Sequence, residues 1–295
     1  MNPTVRTIFF AEGGALRNGW RLLNFLLLLN LLGIATSPLI QAWPRAWQGL
    51  LPGRWLDVAL IVLVSWACLR LDRRPLATLG LARDRAFARD LLWGTLGGAA
   101  LIVTTALLVR GTGAFHWVAT PGTGARDLTA SAWFFLAVAA WEELAFRGYP
   151  FQRTRDGLGL AAAQLLFALV FAVGHWRNPG MAGATKAWAS LNIGLAAILL
   201  GFCYQRTGSL ALPIGVHLGW NWVQGPLLGF GVSGTTAGPS LWTPVLHGRP
   251  EWLTGGAFGL EASAVCTLVC GLAILGLWRW RGTAPTGGAS TASGS

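Results

Sequence analysis

The chain has 295 residues, of which 54% are hydrophobic and only 11% are charged. Soluble globular domains carry about 25% charged residues, so this composition excludes an ordinary water-soluble domain and indicates a surface that faces lipid. Basic residues outnumber acidic residues by 22 to 11. They lie between apolar stretches and form no dense tract, which favours basic loops beside a bilayer over a nucleic-acid partner.

Apolar stretches that approach the length of a membrane crossing recur along the whole chain. A transmembrane helix needs about 20 consecutive, mostly apolar residues. Eight segments meet or approach this length: residues 21–41, 55–71, 90–109, 129–149, 158–176, 187–205, 209–225 and 260–278. The seventh contains His217, Asn221 and Gln224, so we expect it in the interior of a bundle. The predicted fold class is all-α, a polytopic transmembrane bundle of about eight helices.

The distribution of basic residues predicts the orientation of this bundle. With the N-terminus inside and eight crossings, 15 of the 22 Lys and Arg residues fall on the cytoplasmic side. Cytoplasmic loops carry the excess of basic residues in membrane proteins. We therefore expect a multi-pass protein of the cell membrane with both termini in the cytoplasm.

Charged residues close the fourth predicted helix, which ends in Glu142-Glu143-Leu144-Ala145-Phe146-Arg147. A charged side chain in a membrane helix costs about 2.5–3.5 kcal/mol on insertion scales, so its presence needs a reason. Glu143 and Arg147 are four residues apart and can pair on one helix face. Glu142 lies about 100° further round the helix and is left for another partner. Taken alone, Glu143 and Arg147 are also compatible with a clamp between helices.

Two other predicted helices carry polar groups that complement these carboxylates. The fifth ends in Phe171-Ala172-Val173-Gly174-His175, and the seventh contains His217-Leu218-Gly219-Trp220-Asn221. His217 and Asn221 lie one turn apart on one face. Alone, His175 is compatible with a membrane-interface residue, and His217 with Asn221 is compatible with a packing hydrogen bond. Together, the three helices supply carboxylate, imidazole and amide groups, which favours a catalytic site.

The spacings Glu-Glu-x-x-x-Arg at 142–147, Phe-x-x-x-His at 171–175 and His-x-x-x-Asn at 217–221 resemble, in this order, the three motifs of the CPBP intramembrane proteases. That family includes the CAAX prenyl endopeptidases. The resemblance covers about residues 129–225, and together with the apolar segments and the polar composition of the C-terminal end it predicts four parts of the chain. These are three N-terminal transmembrane helices with a cytoplasmic amphipathic segment (1–128), a catalytic core of helices four to seven (129–225), an outer loop with the last transmembrane helix (226–281) and a disordered tail (282–295).

The resemblance implies hydrolysis of peptide bonds by an activated water molecule. Glu142, with His175, would deprotonate the water. His217 and Asn221 would donate hydrogen bonds to the tetrahedral oxyanion. One expectation conflicts with this assembly: at about 1.5 Å per residue, Glu142 and His217 lie roughly 10–16 Å from the cytoplasmic face, and His175 lies roughly 25 Å from it.

The cofactor requirement is open at this point. Glu143 and Arg147 would hold the helix and the first carboxylate in place. Glu142, His175 and His217 could ligate zinc and leave a fourth position for water. The motif H-E-x-x-H is absent, however. We therefore favour a glutamic-type protease that requires no cofactor, with a zinc metalloprotease as the alternative.

The predicted partners of the protease are the lipid bilayer and a membrane-associated peptide or protein substrate, with no nucleic acid.

Other functions compete with the protease. A non-catalytic immunity or scaffolding protein could keep the same fold. A proton-coupled transporter would favour an inverted repeat, whereas the motifs occur in one half of the chain only. The segment Gly231-Val232-Ser233-Gly234 resembles the rhomboid motif, but it lies in a predicted loop with no intramembrane histidine after it.

Overall fold

The computed structural model describes residues 3–42, 53–82, 84–236 and 238–283. Within these ranges the chain is mostly helical, with very little strand. The helices are α1 (Pro3–Phe9), α2 (Asn18–Gln41), α3 (Gly53–Leu71), α4 (Arg85–Gly111), α5 (Ala125–Phe146), α6 (Tyr149–Leu158), α7 (Leu160–Gly174), α8 (Gly183–Thr207), α9 (Ala211–Trp222), α10 (Glu251–Thr254) and α11 (Ala264–Arg279). The strands are β1 (Phe115–Ala119) and β2 (Trp242–Leu246). From residue 284 onward, the predicted disordered tail lies outside the described residues.

The predicted all-α transmembrane bundle is confirmed, since a helix occupies most of each of the eight predicted segments. In the described part of the chain, four helical segments are long and apolar enough to cross a membrane: Asn18–Pro38, Arg85–Gly111, Ala125–Leu158 and Gly183–Thr207. Helices α7 and α11 are apolar but shorter. Large apolar side chains such as Ile34, Trp93 and Leu165 are exposed on the outside of the helices, as lipid contact requires. The chain is therefore a multi-pass membrane protein.

The structure breaks the fourth and the eighth predicted segments near one end. Helix α5 ends at Phe146, and after Gly148 the chain continues as the separate helix α6. The last crossing begins at Ala264 rather than at residue 260, because Leu260–Ala262 form a 3-10 turn. The hydroxyl of Ser263 accepts a hydrogen bond from the backbone N–H of Cys266 at 3.1 Å and so caps the first turn of α11.

Helix α9 is held in the interior of the bundle by close backbone contact with α4. Gly94 and Gly98 on α4 face Gly215 and Gly219 on α9. A Cβ atom added at Gly98 would lie 2.0 Å from the carbonyl oxygen of Val216. One added at Gly219 would lie 2.0 Å from the Thr95 carbonyl oxygen. Small residues at this four-residue spacing let membrane helices approach closely. They therefore fix the position of the helix that carries His217 and Asn221.

A two-stranded antiparallel sheet joins the segment after α4 to the long segment before α10. Its register pairs Phe115 with Leu246 and Ala119 with Trp242. The sequence did not predict this sheet. The sheet also brings two histidines together, since Nδ1 of His116 lies 2.7 Å from Nε2 of His247.

Candidate active site

Three helices bring four of the polar side chains singled out in the sequence to one cavity of about 560 Å³. Glu142 comes from the last turn of α5, His175 from the C-terminal end of α7, and His217 and Asn221 from α9. Ligand pockets in proteins have volumes of about 300–1,000 Å³. All four side chains line this cavity. The depths calculated from helix rise had placed His175 deeper in the membrane than Glu142 and His217.

Behind this cavity, Glu143 and Arg147 form a fully buried ion pair on one face of the α5 terminus. Nη1 of Arg147 donates to Oε1 of Glu143 at 3.1 Å, and Nη2 donates to the carbonyl oxygen of Ala197 on α8 at 2.7 Å. The guanidinium also lies 5.6 Å from the centre of the Phe171 ring on α7. Arg147 therefore joins α5 to both neighbouring helices, and neither member of the pair lines the cavity.

His217 connects this buried pair to the cavity. Its Nδ1 lies 3.0 Å from Oε1 of Glu143, and its Nε2 lies 3.7 Å from Oε2 of Glu142. An ionised carboxylate only accepts hydrogen bonds, so Nδ1 carries a proton and donates a hydrogen bond to Glu143. This contact fixes the ring and directs Nε2 into the cavity towards Glu142. A gap of 3.7 Å exceeds a direct hydrogen bond and is compatible with a bridging group.

His175 and Asn221 complete the polar lining. Nδ1 of His175 lies 2.7 Å from the carbonyl oxygen of Phe171. A carbonyl can only accept, so Nδ1 is the donor and Nε2 is left free to accept a proton. Asn221 is buried and lines the cavity. Its amide makes no hydrogen bond to another residue in the described part of the chain, so it is available to a bound molecule. No ion pair or hydrogen bond joins His175 to Glu142 among these residues.

The residues present do not fit a three-ligand zinc centre. Across the described ranges, no three His, Cys, Asp or Glu side chains converge on one position, although zinc requires ligand atoms at about 2.0–2.3 Å. This holds for Glu142, His175 and His217, the set that the sequence left open. The hydrogen bonds from Nδ1 of His175 and of His217 to Phe171 and Glu143 leave both Nε2 atoms available, as in histidines that ligate metals. The misfit to zinc therefore rests on the separation of the three side chains alone.

Comparison with known proteins bears on the same part of the chain. Residues 124–223 match the model of the family described as type II CAAX prenyl endopeptidase Rce1-like. The chain carries an Rce1-like domain. No curated protein and no solved structure matches it. The match covers about a third of the chain and includes all three sequence motifs, so the assignment to the CPBP/CAAX intramembrane proteases suggested by those motifs is confirmed at the level of the family.

Part of the cavity wall lies beyond the Rce1-like domain, and the sequence analysis missed it. Ser233 and Glu261 line the cavity, and both follow the last matched residue, 223. Ser233 was dismissed as a loop residue. Glu261 fell inside the predicted span 260–278, where a single carboxylate among apolar residues was a signal of function. Asn192, inside the matched segment, also lines the cavity and was not singled out.

Proposed function

We propose that this protein is an intramembrane endopeptidase that hydrolyses peptide bonds of membrane-associated protein or peptide substrates. The observation that carries the proposal is the convergence of Glu142, His175, His217 and Asn221 on one cavity within a membrane bundle. The Rce1-like match supports a protease at the level of the family. The substrate and the catalytic roles below are part of the proposal.

The reaction begins with a water molecule held between Glu142 and the imidazoles. The carboxylate of Glu142 takes one proton from this water while the oxygen attacks the scissile carbonyl carbon. Nε2 of His175 accepts a hydrogen bond from the same water and orients it. The C–N bond then breaks, and the proton held by Glu142 passes to the leaving nitrogen. The products are a carboxylic acid and an amine, and the remaining proton of the acid passes to the amine to give a carboxylate and an ammonium group.

The negative charge of the tetrahedral intermediate forms on the former carbonyl oxygen. The side-chain amide of Asn221 donates one hydrogen bond to it. Nε2 of His217 donates a second when the ring carries protons on both nitrogens, a state compatible with the contact between Nδ1 and Glu143. Removing one such donor costs about 10²–10³ in kcat in other proteases. Glu143 and Arg147 contribute by holding His217 and the end of α5.

We place the catalytic core at residues 129–225, with three transmembrane helices before it and an outer loop and last helix after it. We also propose that the protein lies in the cell membrane with both termini in the cytoplasm. We favour a glutamic-type enzyme over a metalloprotease, because the side chains of Glu142, His175 and His217 do not meet at one position where they could bind a metal ion together.

The test is direct detection of cleavage. Purified protein in detergent is incubated with a library of membrane-spanning peptides, and the products are identified by mass spectrometry. We expect defined internal cleavage sites, and Asn221→Ala should slow cleavage at these sites by about 10²–10³. A folded wild-type protein that cleaves no peptide would instead favour a non-catalytic immunity or scaffolding protein of the same fold.

A further inference from the structure

The cavity contains a second acidic side chain, Glu261, that the proposed reaction does not use. Glu261 is only 8% exposed and lies in the 3-10 turn before α11, on the cavity lining. Ser233 donates two hydrogen bonds to it, one from the backbone N–H at 2.7 Å and one from the hydroxyl at 2.9 Å. Both go to Oε2, so Oε1 receives no hydrogen bond from the described residues.

Neighbouring elements hold this pair firmly. The side-chain amide of Asn192 on α8 donates to the carbonyl oxygens of Glu261 at 2.7 Å and of Ser263 at 2.8 Å. Asn178, three residues after His175, donates to the carbonyl oxygen of Ser233 at 2.8 Å. Ser233 has a φ of +48°, a left-handed conformation that costs energy in a residue with a side chain. The surroundings therefore fix the Glu261 carboxylate at one place in the cavity wall.

Among the described residues, Glu261 lacks the direct ion-pair contact that the other carboxylates of the site have, and only the imidazoles of the cavity, His175 and His217, act on it through space. Glu143 pairs with Arg147, and Glu142 faces His217. In the described part of the chain, Glu261 forms no ion pair with any Lys or Arg. Burying an unpaired carboxylate is costly, and a cation with good geometry offsets that cost. The Ser233 donors offset only part of it, because they are neutral and reach one oxygen.

We propose that Glu261 and Ser233 form a subsite that binds a cationic nitrogen of the substrate, an ammonium or guanidinium group. The inference rests on the proposed function, since the cation belongs to the peptide that is cleaved. The subsite shares its cavity with Glu142 and His217, so the cation lies within a few residues of the scissile bond. Substrates with lysine or arginine at that position are therefore preferred over apolar ones.

Binding to a protein that cannot turn over tests the subsite separately from catalysis. The probes are fluorescent membrane-spanning peptides of one sequence, with lysine or norleucine placed at each position in turn. Norleucine keeps the apolar chain of lysine and removes the ammonium group. An N-acetylated and a free-amine version of each peptide distinguish a side-chain cation from a terminal one. Their dissociation constants are measured with Glu142→Gln protein, with and without the second change Glu261→Gln.

At one position, or at the free amine, we expect the cationic peptide to bind Glu142→Gln protein about tenfold more tightly than its neutral match. Glu261→Gln should abolish this preference, and Glu261→Asp should retain part of it. Equal binding of charged and neutral peptides throughout, or no binding of either, overturns the subsite. The comparison of charged and neutral peptides on Glu142→Gln protein tests the subsite even if Glu261→Gln protein does not fold. Cleavage by the wild-type protein without a lysine preference refutes the subsite alone, whereas a preference without cleavage refutes the proposed function alone.

Discussion

Replacing Arg147 with methionine removes the cation from a carboxylate that has no access to water. Glu143 is fully buried, and its Oε2 has no hydrogen-bond partner in the described structure even with the arginine present. The substitution also removes the 2.7 Å hydrogen bond to Ala197 and the contact with the Phe171 ring. Breaking a buried pair in this way costs about 3–5 kcal/mol of the free energy of unfolding.

The second half of this prediction concerns the coupling between the two side chains. Glu143→Gln should also cost about 3–5 kcal/mol, because it leaves the buried Arg147 cation unpaired. The double variant should be more stable than the sum of the two single losses predicts, by about 1–3 kcal/mol, because it leaves no buried charge unpaired. The exposed Arg126, which has no ion pair in the described structure, provides the matched control. Arg126→Met should change stability by less than about 0.5 kcal/mol.

Denaturant unfolding of the purified variants in detergent measures all four free energies. If Arg147→Met costs less than about 1 kcal/mol, the arginine does not compensate a buried charge. If the two single losses add to within about 0.5 kcal/mol of the double variant, the side chains are not coupled and the pair does not hold α5 in place.

Three further predictions follow from the packing, the donor geometry and the charge distribution. Gly98→Ala should lower the melting temperature and the cleavage rate, because its Cβ would lie 2.0 Å from the Val216 carbonyl oxygen. The control Gly97→Ala should change neither quantity, because no atom lies within 4 Å of its Cβ. Equal effects of the two substitutions would show that α4 does not fix the position of α9. Cleavage should survive strong chelation, and its loss with recovery on addition of zinc would establish a metalloprotease. Reporter fusions at Arg74 and after Trp280 should be cytoplasmic and fusions at Gly122 and Gly238 external; one reversed position would contradict the eight-crossing topology.

Local sequence spacing was enough to predict the helices and the pairing on α5. Glu143 and Arg147 are four residues apart, and a helix places such residues on one face whatever surrounds them. Glu142 was correctly expected to point elsewhere, and it faces His217. The polar residues of the seventh segment also predicted its interior position correctly, because lipid does not tolerate them.

Contacts between distant segments were beyond sequence reasoning. The sequence offered His217 an oxyanion, a zinc ion or a packing hydrogen bond, but it did not single out Glu143, whose carboxylate accepts the hydrogen bond from Nδ1 of His217 across two helices. The sheet joins strands more than 120 residues apart, and each strand is only five residues long, so neither gives a strong local signal. Ser233 reaches the cavity because Asn178 and Glu261 hold its loop there, and no local pattern encodes those two contacts.

The rate of peptide cleavage by Glu142→Gln protein tests the central claim most directly. Glutamine keeps the shape and one acceptor of the side chain but cannot take a proton from water. The remote, exposed carboxylate of Glu12 provides the control, since Glu12→Gln removes the same charge away from the cavity. With normal membrane insertion of both variants, we expect Glu142→Gln to lose a factor of about 10²–10⁴ or more in kcat and Glu12→Gln to keep the parental rate. Cleavage by Glu142→Gln at more than about 5% of the parental rate, a loss far smaller than a general base supplies, would contradict the role of this carboxylate.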